Sequence, residues 1–460
     1  MPLRAMARGE QAYLIRADYV FTGRVLRDGA VVVEGGEIAD VGPYDELGPR
    51  YPRYERLEGR GGLLLPGFIN LHTHLAMALL RGYAEDLPLM DWLQKRVWPL
   101  EAKLTPRDIY LGAKLAAVEA LLSGTTCALS MYFYESEELN EAAACFQAGL
   151  RAFIAHGYFD WTEQEGLRKT ERLFSSWHGR EGRIFACVGP HAPYSVSPRL
   201  LRRSAELHAE LKERYGERGP VKLSIHLAEE PREAEEVRKK YGVDLSGGFA
   251  QYLRAAGLLG PDLIAAHCIH ISEQDAEHFA RASASIASNP IANMKLAMGI
   301  APLAMFLRKG VNVGLGTDGP ASNNTLDMLE TVKVASLLQK VASGDPTALD
   351  AYTSLRLATE NGAKALGLGE RLGRIAKGYL ADLVLFNLRR HNTFPVYDPV
   401  YALVYSARPS NVSHVWVQGR LVVENGRPVL VDLEELLAQV EEAKLNLLQR
   451  AGANVEEGSR

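Results

Sequence analysis

His72 and His74 stand one residue apart at the end of the apolar run Leu63-Leu64-Leu65-Pro66-Gly67-Phe68-Ile69-Asn70-Leu71. In an extended chain, residues i and i+2 share a face, so the two imidazoles project together while Thr73 faces the other way. Such a pair can hold one metal ion, or it can be two hydrogen-bonded side chains in a polar loop, and further ligands decide between these readings. His226, Glu229, His267 and Asp318 each follow a short apolar run, as does His191. Three imidazoles and a carboxylate, His72, His74, His226 and Asp318, form a mixed nitrogen and oxygen set suited to Zn²⁺ or Fe²⁺ with room left for water. A metal so held lowers the pKa of its water and provides a hydrolytic nucleophile near neutral pH. Glu229, three residues beyond His226, is the candidate general acid/base. His267 is the candidate that orients the nucleophile from outside the ligand set. His270 is read as structural, and Glu230, Glu233, Glu235 and Glu236 as the solvated first turn of an acidic helix.

Ligands this far apart in sequence need a scaffold that gathers them. Short apolar strands alternate with helical patterns between 64 and about 372, which signals a parallel α/β arrangement. The expected strands are 64–71, 125–131, 151–156, 184–189, 221–227, 263–267, 283–288 and 311–316. Helical stretches at 106–122, 198–215, 272–282 and 326–341 lie between them, several opened by Thr or Ser. Eight strand and helix units predict a (β/α)8 TIM barrel, whose active site lies at the carboxyl ends of the strands. His72 and His74 end the first strand, His191 the fourth, His226 and Glu229 the fifth, His267 the sixth and Asp318 the eighth. The candidates therefore share one rim.

β-branched runs with turns before residue 62, and again at 380–386 and 412–423, predict a smaller β-sandwich built from both terminal segments. The expected organisation is 1–62 and 373–460 in the sandwich, the latter with a terminal amphipathic helix at 433–448, and 63–372 in the barrel. That helix is expected to pack on the sandwich or on a neighbouring subunit.

The 460 residues are 47% hydrophobic and 23% charged, the balance of a globular protein. Net charge is −4, with Lys and Arg scattered among acids, so neither nucleic acid nor an anionic membrane is an expected partner. Cys127, Cys145, Cys187 and Cys268 are widely spaced and form no Cys-x-x-Cys, which suits buried thiols better than disulfides or ligands. The N-terminus lacks an apolar signal core, and a cytoplasmic location is expected. No lysine occurs in 183–191 to bridge a second ion, so one divalent metal per chain is expected, Zn²⁺ first, with Fe²⁺ and Mn²⁺ also compatible with the donors.

The sequence resembles the amidohydrolase superfamily and, within it, the 5-methylthioadenosine/S-adenosylhomocysteine deaminase group. The matching stretches include Pro66-Gly67-Phe68-Ile69-Asn70-Leu71-His72-Thr73-His74, Gly189-Pro190-His191-Ala192-Pro193-Tyr194, His226-Leu227-Ala228-Glu229, Ala266-His267-Cys268, Ser288-Asn289-Pro290 and Gly316-Thr317-Asp318-Gly319-Pro320. The resemblance implies that His72, His74, His226 and Asp318 bind the metal. It implies that Glu229 protonates the purine ring nitrogen during attack on the amine-bearing carbon, that His267 orients the nucleophile, and that Asp318 passes a proton to departing ammonia. Glu101 matches a position that binds ribose hydroxyls, His191 one that contacts substrate, and Trp98 is placed to line the nucleoside pocket.

At the end of the third strand, His156 stands where members that take S-adenosylhomocysteine carry an arginine for the amino-acid carboxylate, and Arg168 does not align cleanly with a second. His156 is therefore a candidate substrate contact, and neutral 5′ groups are the expected preference. Rival readings are hydrolysis of another amino- or chloro-heterocycle, such as a triazine, guanine-like purine or pterin, and a non-catalytic scaffold barrel. The expected partner is a small-molecule nucleoside, with homo-oligomers compatible with the architecture.

Overall fold

Pro66 and Gly67 split the apolar run on which the first histidines sit. Pro66 has no amide to donate, and a side chain on Gly67 would place its Cβ 2.1 Å from Thr126 Oγ1. The strand expected over 64–71 is accordingly two strands in two sheets, Glu55–Pro66 and Phe68–Thr73. The join between sheets falls at 66–67 rather than at 62–63. The computed structural model describes residues 12–134, 136 and 140–452.

Phe68–Thr73 begins an eight-stranded parallel sheet that continues through Thr125–Tyr132, Arg151–Tyr158, Ile184–Pro190, Lys222–Leu227, Leu263–His267, Ser285–Ser288 and Asn312–Leu315, adjacent in chain order. The other seven strands lie within about two residues of the expected ones. At the carboxyl rim the last strand meets the first, where the Thr317 amide donates to Asn70 Oδ1 at 3.1 Å and the Asp318 amide to the His72 carbonyl at 3.0 Å. Gly316 makes that approach possible, since a Cβ there would lie 2.7 Å from the His72 carbonyl oxygen.

Side chains alternate between barrel interior and helix layer. Leu129, Met131, Phe153, Ala155 and Cys187 share the interior cluster, while Ala128, Tyr132, Ile154, Tyr158 and Val188 pack outward. Helices cover the outside. Thr105 caps Pro106–Leu122 in a reciprocal pair with Asp108, and Ser272 does the same with Asp275 for Glu273–Ala282. All four cysteines are buried and free, and among the described residues no helix is long and apolar enough to cross a membrane.

The terminal segments form one continuous mixed sheet of eight strands. Its halves meet where Glu55–Pro66 runs antiparallel to Leu383–Asn387. The sheet curls on itself. Tyr13, Ile15 and Val33 from the first half share a core with Leu385, Trp416 and Leu421 from the second, and the Tyr13 hydroxyl donates to the Gly419 carbonyl at 2.6 Å. The terminal helix, Leu433–Ala451, departs from expectation. It packs along Pro106–Leu122 of the barrel, burying Leu436, Ala443 and Leu447, and Arg450 donates to the Lys103 carbonyl at 3.0 Å.

A buried ion pair ties the two sheets together. The Arg151 guanidinium, at the start of the third barrel strand, donates twice to Asp382 at 2.9 Å, and Asp382 also accepts from the Gln418 amide at 2.7 Å and, through its carbonyl, from Gly67 at 3.0 Å. Removing one partner leaves the other charged and buried, so Asp382→Ala is expected to cost about 3–5 kcal/mol in chemical denaturation. Pairing Asp382→Leu with Arg151→Met is expected to cost less than either single change; a loss equal to the sum of the two would show that the charge pairing is not what holds the joint.

Candidate metal centre and active site

The barrel rim brings eight of the anticipated side chains into one cavity. His74, Trp98, Glu101, His191, His226, Glu229, His267 and Asp318 line it, with His72 directly beneath. His72 does not follow simple alternation. Pairing with the second strand shifts register between Asn70 and Thr73, and His74 lies just past the strand end. Alternation does place His226, because its neighbours Ile225 and Leu227 pack outward.

Four donor atoms converge at the centre. His74 Nε2 lies 3.1 Å from Asp318 Oδ1 and 3.4 Å from His226 Nε2, and His72 Nε2 lies 3.4 Å from Asp318 Oδ1. Tetrahedral nitrogen and oxygen donors about zinc stand about 3.3 Å apart, so the spacing is that of a ligand set. His72 Nε2, His267 Nε2 and Asp318 Oδ1 are buried without a hydrogen-bond partner, which is costly unless something else satisfies them. The residues fit a divalent ion. His267 comes close enough to His72 and Asp318 to belong to the same donor group.

The surrounding contacts fix which nitrogen faces inward. His74 Nδ1 is 2.5 Å from the Met131 carbonyl and His226 Nδ1 is 2.9 Å from the His191 carbonyl, so each Nδ1 carries the proton and each Nε2 offers its lone pair. His267 Nδ1 is held the same way by Asn293 Oδ1 at 2.9 Å, and its Nε2 stands 3.7 Å from Glu229 Oε1. Asp318 is held by the Ser322 hydroxyl on Oδ2 at 2.6 Å and by the Thr73 hydroxyl on its carbonyl at 2.9 Å. His267 and Asp318 have φ of +67° and +64°, a strained setting for non-glycine residues that the packed rim sustains.

Burial without water sets the electrostatics. It drives His72 down to about 4, despite Asp318, and lowers His226 as well, where neighbouring imidazoles add to the effect. Burial opposes charge on His74 too, yet Asp318 and the Met131 carbonyl hold it at about 9. Asp318 stays well below the carboxylate range because its two histidine partners overcome desolvation. Burial raises Glu229, which suits a group that must donate a proton near neutral pH. It also pushes Glu101 up to about 7 against a hydrogen bond from the Tyr132 hydroxyl at 2.9 Å.

His156 is the exception among the anticipated residues. It shares the outward face of its strand with Ile154 and Tyr158 and lines a separate cavity with Asn140, Lys169, Arg172 and Trp177. It therefore stands apart from the site cavity. Glu233 departs in the other direction. Expected in solvent, it is 1% exposed and accepts from the Glu229 amide at 3.0 Å. Tyr132, Asn289, Asn293 and Ser322 were not anticipated either; the Ser288-Asn289-Pro290 motif was the signal for Asn289.

Residues 63–422 match the amidohydrolase family. The chain belongs to that family. Residues 29–53 also match the imidazolonepropionase-like composite domain of bacteria. A 5-methylthioadenosine/S-adenosylhomocysteine deaminase of Syntrophobacter fumaroxidans is 43% identical over 424 residues, which cover 91% of this chain and 93% of the relative. A 5′-deoxyadenosine deaminase of Methanopyrus kandleri is 42% identical over 420 residues, 90% of this chain and 94% of the relative. The crystal structure of an adenosine deaminase from Xanthomonas campestris with bound zinc superimposes with a TM-score of 0.88 at 33% identity, over 95% of this chain and 99% of that one. Members of the amidohydrolase family typically bind a divalent metal, and the histidines and carboxylate gathered here are donors that could hold one.

Glu233 has no route to the cavity centre except through the backbone of 228–230. Its replacement by Ala is expected to leave metal content unchanged and lower turnover roughly 10- to 100-fold. Metal analysis beside steady-state rates checks this, and an unaltered rate would mean that the Glu229 loop holds itself.

Proposed function

We propose that this chain is a hydrolytic deaminase of adenosine-type nucleosides. It would convert 5′-methylthioadenosine, 5′-deoxyadenosine, adenosine or S-adenosylhomocysteine, with water, to the inosine analogue and ammonia, using one zinc ion per chain. The observation that carries the reading is a buried carboxyl with raised pKa, Glu229, lining the same cavity as His74, His226 and Asp318, where His74 Nε2 lies 3.1 Å from Asp318 Oδ1 and 3.4 Å from His226 Nε2. The names of the similar proteins support the substrate class.

His72, His74, His226 and Asp318 would hold the ion, which when bound supplies the Lewis acidity that makes water a competent nucleophile near neutral pH. Glu229, whose pKa burial raises, gives its proton to the ring nitrogen beside the amine-bearing carbon as the water oxygen attacks that carbon. His267, fixed by Asn293, presents Nε2 to the attacking oxygen and orients it. Asp318 takes a proton from the water and passes it to the amine, which leaves as ammonia. Glu101 accepts hydrogen bonds from the ribose hydroxyls, while His191 and Trp98 bound the nucleoside.

Ammonia release from a panel of adenosine nucleosides, guanine, pterins and amino-triazines tests the reading. Glu229→Gln is expected to lose roughly 10²- to 10⁴-fold in kcat with its metal retained. No turnover of any adenosine nucleoside by the metal-loaded protein would overturn the assignment. Glu101 supplies a pH signature. Its pKa of about 7 means that raising pH through neutrality ionises it and creates a better acceptor for two hydroxyls, so KM for ribonucleosides is expected to fall as pH rises. Glu101→Gln should flatten that dependence; a wild-type KM that rises over the same range would count against the contact.

A further inference from the structure

Three aromatic rings, Phe133, Phe159 and Trp161, run outward from the metal centre in unbroken contact. Phe133, after the second barrel strand, lies 6.2 Å from the His74 ring and 5.1 Å from His191. Phe159, after the third strand, packs 4.9 Å from Phe133 and 4.7 Å from His191. Trp161 then stacks on Phe159 with centroids 4.5 Å apart and planes within 8° of parallel. Phe133 lines the cavity, Phe159 is 7% exposed and Trp161 is 63% exposed, so the series begins beside the ligands and ends in solvent.

An exposed tryptophan of this kind is normally a loose surface side chain, but this one is held in place. Asp160, its neighbour, accepts from the Ser197 amide and from the Tyr241 hydroxyl, both at 2.8 Å, and the Phe159 amide donates to Thr162 Oγ1 at 3.0 Å. The turn is thereby braced against the helices that follow strands four and five. Such pre-ordering lowers the cost of binding something on the exposed apolar face. Among the described residues, Arg199 pairs with Glu163 and Lys169 with Glu165, so these two cations already have carboxylate partners.

Resting on the deaminase reading, we infer that Phe133, Phe159 and Trp161 form the wall that receives the 5′ substituent of the nucleoside, and that this wall selects uncharged, apolar groups such as a thioether. With the base at the metal centre and the ribose at Glu101, whose partner Tyr132 is in ring contact with Phe133, the nucleoside would have its 5′ end on the side of the cavity that Phe133 lines and from which Phe159 and Trp161 continue outward. Specificity then comes from a positive apolar contact and needs nothing from His156.

The test compares kcat/KM for 5′-methylthioadenosine, adenosine and S-adenosylhomocysteine in the metal-loaded full-length protein and in Trp161→Ala, Trp161→Phe and Phe159→Ala. Trp161 is exposed, so its replacement leaves the core intact, and circular dichroism with metal content verifies this for each variant. Burying a methylthio group against the wall should make the ratio of methylthioadenosine to adenosine fall roughly tenfold in Trp161→Ala, through KM, with Trp161→Phe restoring most of it. An unchanged ratio in both alanine variants, or a wild-type preference for S-adenosylhomocysteine, overturns the wall while leaving deamination standing. Wild-type protein that deaminates none of the three overturns the functional reading itself, and the wall with it.

Discussion

Ligand-capable atoms of His72, His74, His226 and Asp318 that converge in a buried rim, with His74 Nε2 3.1 Å from Asp318 Oδ1 and 3.4 Å from His226 Nε2, are the constraint that the rest of the rim serves. Lone pairs that face one another at that distance repel. The charges that arise are lopsided, with His72 driven down to about 4 while His74, a ring away, is held at about 9. Such opposed shifts between neighbours show how strongly these buried groups are coupled, His74 through its carboxylate partner and His72 through burial.

Holding the atoms there requires backbone that would relax if left alone. Ala228, His267, Cys268 and Asp318 all have φ between +50° and +67°, each costing about 1–3 kcal/mol. Hydrogen bonds oppose that relaxation. Thr73 and Thr317 both donate to the Asp318 carbonyl at 2.9 Å, Asn70 exchanges hydrogen bonds with Thr317, and the amides of Ile269 and His270 both reach the Ala228 carbonyl at 3.0 Å. Glu233 closes the same loop from the other side. His270, whose ring Nε2 lies 3.0 Å from the Met298 carbonyl, is structural, as its sequence context suggested.

The barrel and the donor set were legible because each rests on a local pattern, apolar runs of strand length and polar residues at their ends. What failed rests on information a single strand does not carry. The third strand is buried on both faces, so its composition does not say which face looks inward, and His156 fell to the helix side. Glu233 was lost inside an acidic run whose other members are at least partly exposed; only its position at the first turn of Glu233–Tyr241, folded back on the Glu229 loop, distinguishes it. Pro66 did announce the break in the first run, but the length of the run outweighed it. Glu101 carries no local signal, and its burial beside Tyr132 is a tertiary fact.

The origins of the groups divide the rim into two sectors. His72, His74, His226, Glu229, His267 and Asp318 come from strands one, five, six and eight, on strained backbone that hydrogen bonds hold in place. The aromatic series comes from the loops after strands two and three, and touches the donors only through ring contacts with His74 and His191. A side chain in the second sector can change size without moving a donor atom, because no hydrogen bond runs from Phe133 or Trp161 to the ligand set. A change in the first sector cannot be so contained, since Asp318 alone links the first strand, the last strand and the Ser322 turn. The chemistry is therefore fixed by the barrel, and what the barrel accepts is free to vary with two loops.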